Sequence, residues 1–96
     1  MNDIQPVAVL NFNKLWKGTN LTYNKNELNY RIIRCIPMKL KGVWTLGIEY
    51  EPLYDCELRN FVREWEDIYN NYEFEEGPQV KEAFKMMCLT CLRKIG

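Results

Sequence analysis

The 96 residues include no histidine and no serine. Those two absences remove Ser-His-Asp and Cys-His nucleophilic catalysis, histidine acid–base chemistry and histidine-ligated metals from what these residues can do. Alanine is scarce, with two residues against ten asparagines, eight lysines, seven isoleucines and six tyrosines. AT-rich coding sequence tends to produce this vocabulary, which speaks of a genome and not of a function. Long apolar runs are also missing. The longest uncharged stretches, such as Ile4 to Asn13, are too short to span a bilayer, and no basic segment leads into an apolar one at the start. The expectation is a cytoplasmic protein with no membrane partner, in which the sequon Asn20-Leu21-Thr22 has no consequence.

Net charge is zero as well, from thirteen basic and thirteen acidic residues, so no global field draws the chain to nucleic acid. The signs are nevertheless segregated along the sequence: residues 1–48 carry a net +5, residues 49–80 a net −8 and residues 81–96 a net +3. Solvated faces produce such bias readily, so segregation alone is no site.

With 47% hydrophobic and 27% charged residues, the composition is that of an ordinary globular chain, and the length fits one domain over residues 1–96. Gln5 to Phe12 alternates weakly and is read as a strand beginning near Pro6; residues 13–29, with Gly18 and five asparagines, read as loop. Two β-rich runs, Tyr30 to Leu40 and Val43 to Tyr50, flank Lys41-Gly42 and predict a hairpin. Strict alternation puts Tyr30, Ile32, Ile36, Met38 and Leu40 on one face with Arg34 intruding, and Trp44, Leu46, Ile48 and Tyr50 on one face of the second strand. Pro37 points to an edge or a bulge. Leu58, Phe61, Val62, Trp65, Ile68, Tyr69 and Tyr72 follow helical spacing after Pro52. A second helical pattern begins at Pro78, with Val80, Ala83, Phe84, Met87, Cys91 and Ile95 on one side and Met86 and Leu89 on the other. The expected fold is therefore α+β. A small antiparallel sheet, made of the N-terminal strand and a hairpin over about residues 30–50, packs against two C-terminal helices over about 52–71 and 78–94. Trp44, Leu46, Ile48, Phe61, Trp65, Phe84 and Met87 are the expected core.

Four patterns could carry chemistry. Cys88 and Cys91 form a C-x-x-C near a helix C-terminus, where the dipole raises thiol pKa, and a zinc site would need Cys35 and Cys56 to converge on them; helix packing is the better reading, with no metal and no cofactor. Glu49 and Glu51 could place two carboxylates on one side of a strand end, but nothing accompanies them as a third ligand, and no enzymatic activity is expected. Arg31, Arg34, Lys39 and Lys41, with Tyr30 and Trp44, would suit a phosphate track with stacked bases, which makes nucleic acid the second choice of partner.

The first choice is a protein. Glu64, Asp67, Glu73, Glu75 and Glu76, with Tyr54 and Phe74, would form an anionic, partly aromatic surface complementary to a basic site. The leading expectation is a non-enzymatic binding module, an inhibitor or accessory factor, acting on a partner with a basic surface such as a nucleic-acid-handling enzyme. Segregated charge and the two-sided helix around Met86 and Leu89 also favour a homodimer.

Overall fold

A computed structural model describes residues 7–57 and 59–95. The chain runs α1 (Val7–Trp16), β1 (Asn20–Tyr23), β2 (Asn29–Leu40), β3 (Val43–Pro52), β4 (Phe61–Glu64), α2 (Trp65–Asn71), β5 (Tyr72–Phe74) and α3 (Pro78–Ile95). The strands form one antiparallel sheet in the order β4-β3-β2-β1-β5. Helix α1 lies against β2, α3 lies against β3 and β5, and the two helices touch each other. One face of the sheet is thus covered by helices. The fold is α+β, with an antiparallel sheet and two C-terminal helices among its three.

The hairpin forms where expected. Lys41 and Gly42 have φ of 51° and 79°, the left-handed pair that a two-residue connection needs to match strand twist, and glycine takes the second position without steric cost. Helix α3 also matches its expected bounds within a residue, with Pro78 in its first turn and Arg93 and Lys94 in its last.

The facing of β2 differs from strict alternation. The ladder with β3 shifts register between Ile32 and Arg34, so Ile33 is an extra residue in a bulge. Beyond it every side chain changes face. Tyr30, Ile32, Cys35 and Pro37 look toward the helices, while Arg31, Arg34, Ile36, Met38 and Leu40 lie on the other side. The bulge resolves the conflict that Arg34 posed, because it turns the guanidinium out and the Cys35 thiol in. Helix α1 closes the gap in the ladder: Asn13 Oδ1 accepts a hydrogen bond of 2.7 Å from the Cys35 N–H.

Three expectations are corrected. The N-terminal strand is helix α1 from Val7 onward, with Gln5 and Pro6 outside the described residues. Val9, Phe12 and Trp16 at i, i+3 and i+7 make a helical stripe that outweighs the weak alternation, with Val9 and Phe12 fully buried. The helix over 52–71 is reduced to α2, because Pro52 still belongs to β3, and Phe61–Glu64 pairs with Gly47–Tyr50 of β3 as strand β4. Pairing satisfies an edge that a helix would have left open, and Phe61 stacks on Tyr50 with ring centroids 5.4 Å apart. Leu58 lies outside the described residues. Finally, the loop over 13–29 contains β1, and β5 adds a short outer strand to it.

The core has two aromatic centres. Under α1 and α3, Phe84 packs edge-on to Phe12 and Trp16 and tilted against Phe74, with centroids 5.8, 5.6 and 4.9 Å away. Nearer α2, Tyr30, Tyr50, Tyr72 and Phe61 gather, with a 2.7 Å hydrogen bond between the hydroxyls of Tyr50 and Tyr72. Of the expected core, Leu46, Ile48, Trp65 and Phe84 are buried and Phe61 and Met87 half-buried. Trp44 departs from the expectation, since it stands 45% exposed near the hairpin tip.

Candidate functional site

The uncovered face of the sheet has a polar half and an apolar half. In the polar half, Arg31 sits opposite Glu51 and Arg34 opposite Glu49, with ion-pair distances of 3.0 and 2.7 Å. The hydrogen bond from Arg34, reinforced by one from Asn60, holds the Glu49 carboxyl below the usual carboxylate range. The two carboxylates share a side, as their spacing required, and each is engaged by an arginine. Toward the tip, Ile36 and Met38 share this face with Val62 of β4, and Met38 lies across Gly47.

The nucleic-acid candidates do not converge. Arg31 and Arg34 are ion-paired on the uncovered face, Tyr30 is buried under the helices, and Trp44 points to the helix side with Lys39, whose ammonium is 5.5 Å from the indole centroid. Lys41 is in the turn. The two arginines and the rings are on opposite sides of the hairpin, where they cannot follow one strand of phosphates and bases together.

The acidic set divides as well. Phe74 is buried against Phe84 and Trp16, so it is no part of an exposed surface, contrary to expectation. Glu73 pairs with Lys81 at 3.6 Å, and Glu75 accepts a hydrogen bond of 2.6 Å from the Asn20 amide. Glu76 is exposed in the turn before α3. Glu64 and Asp67 belong to another region, at the start of α2, where Glu66 joins them. Among the described residues none of these three is in an ion pair; Glu64 accepts a long hydrogen bond, 3.4 Å, from Thr45.

That start of α2 borders a groove of about 610 Å³ between the hairpin tip and α3. Trp44 and Trp65 form one wall, Leu89 and Leu92 of α3 the other, and the carboxylates of Glu64 and Glu66 and the Lys85 ammonium line it. The groove exists because the hairpin runs past the point where the helices cover it, which leaves Trp44 exposed above α3. Sequence reasoning missed Glu66, Lys85, Leu89 and Leu92 as partners of Trp44. The available signal was the second apolar side of α3, which has to meet something.

Cys35, Cys88 and Cys91 are buried together between β2 and α3, whereas Cys56 is exposed, and no disulfide joins any of the four. Burial pushes the Cys35 thiol up to about 12 and raises Cys88 and Cys91 as well. Such thiols resist the ionisation that nucleophilic attack or metal ligation requires, which supports their reading as packing groups. No helix among the described residues is long and apolar enough to cross a membrane.

Comparison with protein-family models, with curated proteins and with solved structures yields no match. The functional reading therefore rests on the groove and its surroundings.

Proposed function

We propose that this chain is a non-enzymatic protein-binding module, an inhibitor or accessory factor, that receives a basic surface of a partner protein at the groove between the hairpin tip and α3. One observation carries the reading: an exposed tryptophan stands in a groove lined by both apolar and charged side chains, beside Glu64 and Glu66, with Asp67 next in sequence. Tryptophan at the centre of a patch is the side chain most often found to dominate binding, and charges at the rim steer and select the partner. A lysine- or arginine-bearing segment of a nucleic-acid-handling enzyme has the complementary chemistry. Against the alternative of direct nucleic-acid binding stands the internal pairing of Arg31 and Arg34 with Glu51 and Glu49.

The test is quantitative capture from nuclease-treated lysate with wild type, Trp44→Ala, Glu64→Lys/Glu66→Lys and Arg31→Ala/Arg34→Ala. A partner retained by wild type and the arginine variant and reduced at least about tenfold by the other two supports the proposal. Material that nuclease removes and that the arginine variant fails to hold would replace it with the nucleic-acid reading.

A further inference from the structure

Helix α3 carries an outward stripe that does not belong to the groove wall alone. Glu82, Met86, Leu89 and Arg93 are spaced by four, three and four residues, and at about 100° per residue they fall within about 60° of one another. Glu82, Met86 and Arg93 are exposed, Met86 at 58%, while Phe84, Cys88 and Cys91 on the opposite side fill the core. At mid-stripe the surface dips into an apolar hollow of about 420 Å³ lined by Met86, Leu89, Leu92 and Arg93.

The order of this stripe reads acid, apolar, apolar, base. Reversed, it meets itself in register. If a second α3 runs antiparallel about a two-fold axis level with the midpoint between residues 87 and 88, Glu82 of each copy falls opposite Arg93 of the other. Met86 then falls opposite Leu89. The contact is isologous, as closed dimers require, with both ion pairs and both apolar contacts generated by one operation. Glu82 has capacity for this, because the Tyr69 hydroxyl donates to its Oε2 and leaves Oε1, while Arg93 spends one nitrogen on a 3.4 Å bond to Thr90. An unrelated partner would need no such palindrome.

We propose that a second copy of this chain docks on α3, antiparallel, with each Met86 seated in the hollow beside the Leu89 of its mate. The stripe spans only about 16 Å, so the dimer belongs to the small, concentration-dependent class of interfaces. Leu89 and Leu92 serve both this surface and the groove, but Glu82, Met86 and Arg93 lie outside the groove, so variants at those three positions test the dimer separately from the groove reading.

Sedimentation velocity over a concentration series tests it with Met86→Lys, Glu82→Lys and Arg93→Glu, each checked by circular dichroism for an intact fold. The wild type is expected to dimerise, and each variant alone to weaken the dimer at least about tenfold. An equimolar mixture of Glu82→Lys with Arg93→Glu restores it, because the altered signs are then complementary across the axis. This rescue also guards against a variant that merely loosens the helix. A wild type that stays monomeric to millimolar concentration overturns the proposal and leaves the stripe to another chain. A dimer indifferent to Met86→Lys, or a mixture that fails to reassociate, overturns it too by placing the contact elsewhere. Trp44, Glu64 and Glu66 are untouched in these variants, so partner capture remains an independent readout.

Discussion

The two faces of the sheet solve the same charge problem in opposite ways. On the face beneath the helices, Ile32, Cys35, Leu46 and Ile48 pack with no buried charge, and the Tyr50 hydroxyl bonds to that of Tyr72 and accepts a hydrogen bond from Arg63 at the margin. On the uncovered face, Arg31 and Arg34 from the basic part of the sequence meet Glu51 and Glu49 from the acidic part. Part of the charge segregation seen along the chain is thereby folded into cross-strand pairs. Three of the acids outside those pairs, Glu64, Glu66 and Asp67, stand together at the start of α2, beside the groove. Separated charge in a sequence therefore identifies a candidate surface only after the register is known, since the hairpin cancels part of it.

The strongest way to break the distinction between the faces is the exchange Arg34→Cys/Cys35→Arg. The bulge at Ile33 keeps position 34 outside and position 35 beneath the helices, so the exchange puts a guanidinium into the covered face and a thiol on the uncovered one. For a domain whose total stability is about 5–15 kcal/mol, burial of an unpaired guanidinium should leave no cooperative thermal transition. A native-like melt would show that position 35 is not enclosed by the helices.

Next in size is Phe84→Ala, which empties the space between Phe12, Trp16 and Phe74. A loss of about 3–5 kcal/mol is expected in denaturant titration, whereas Val62→Ala on the uncovered face should cost much less because Val62 is already 48% exposed. Equal losses would contradict the assignment of faces.

Alkali should attack the covered face selectively. The folded state holds Cys35 at about 12 against an ordinary thiol value of 9.0, and Cys88, Cys91 and Tyr72 are raised, chiefly by burial. Since the unfolded chain loses these protons first, their contribution is complete below 9.0 and declines as pH climbs toward 12. The denaturation midpoint should fall steadily across that range; a flat profile would mean that the thiols meet water.

The smallest effect belongs to the uncovered face. A double-mutant cycle on Arg34 and Glu49 should give a coupling of about 0.2–1 kcal/mol, because the arginine is well exposed. Glu49 is held below its ordinary value of 4.5, so this contribution is present above that value and is lost as pH falls through the lowered one. A coupling unchanged by salt would disagree with pairing at the surface.

The hairpin and α3 were legible in the sequence because local and tertiary preferences agree there. Lys41-Gly42 can form only a limited set of turns, and the α3 pattern repeats over 18 residues. Where the two levels diverge, reading failed. Phe61 to Tyr72 satisfies helical spacing throughout, yet its first four residues pair with β3 because an edge needed covering and Tyr50 offered a ring to stack on. Val7 to Phe12 satisfies both periods, and the position of Phe84 decides for the helix. The basic hairpin candidates were located correctly along the chain but sorted wrongly by face, since one extra residue at Ile33 inverts everything after it. Gly47 within a strand was a usable sign of close approach: a Cβ there would stand 2.2 Å from Met38 Sδ. The groove depended on where the helices stop relative to the hairpin, which no local pattern records.

Strands β4 and β5 lie at opposite edges of the sheet, and α2, seven residues long, is all that separates them in sequence. Neither edge can peel away without pulling on that short tether, and Tyr72 beyond it is bonded to Tyr50 near the end of β3. Local opening is thereby made collective: amide hydrogens from Phe61 to Phe74 should exchange as one kinetic block instead of fraying strand by strand. With only four and three residues in these outer strands, the sheet also offers very little backbone for a stray chain to template on. The tether that joins its edges is thus a guard against misassembly as well as a connection.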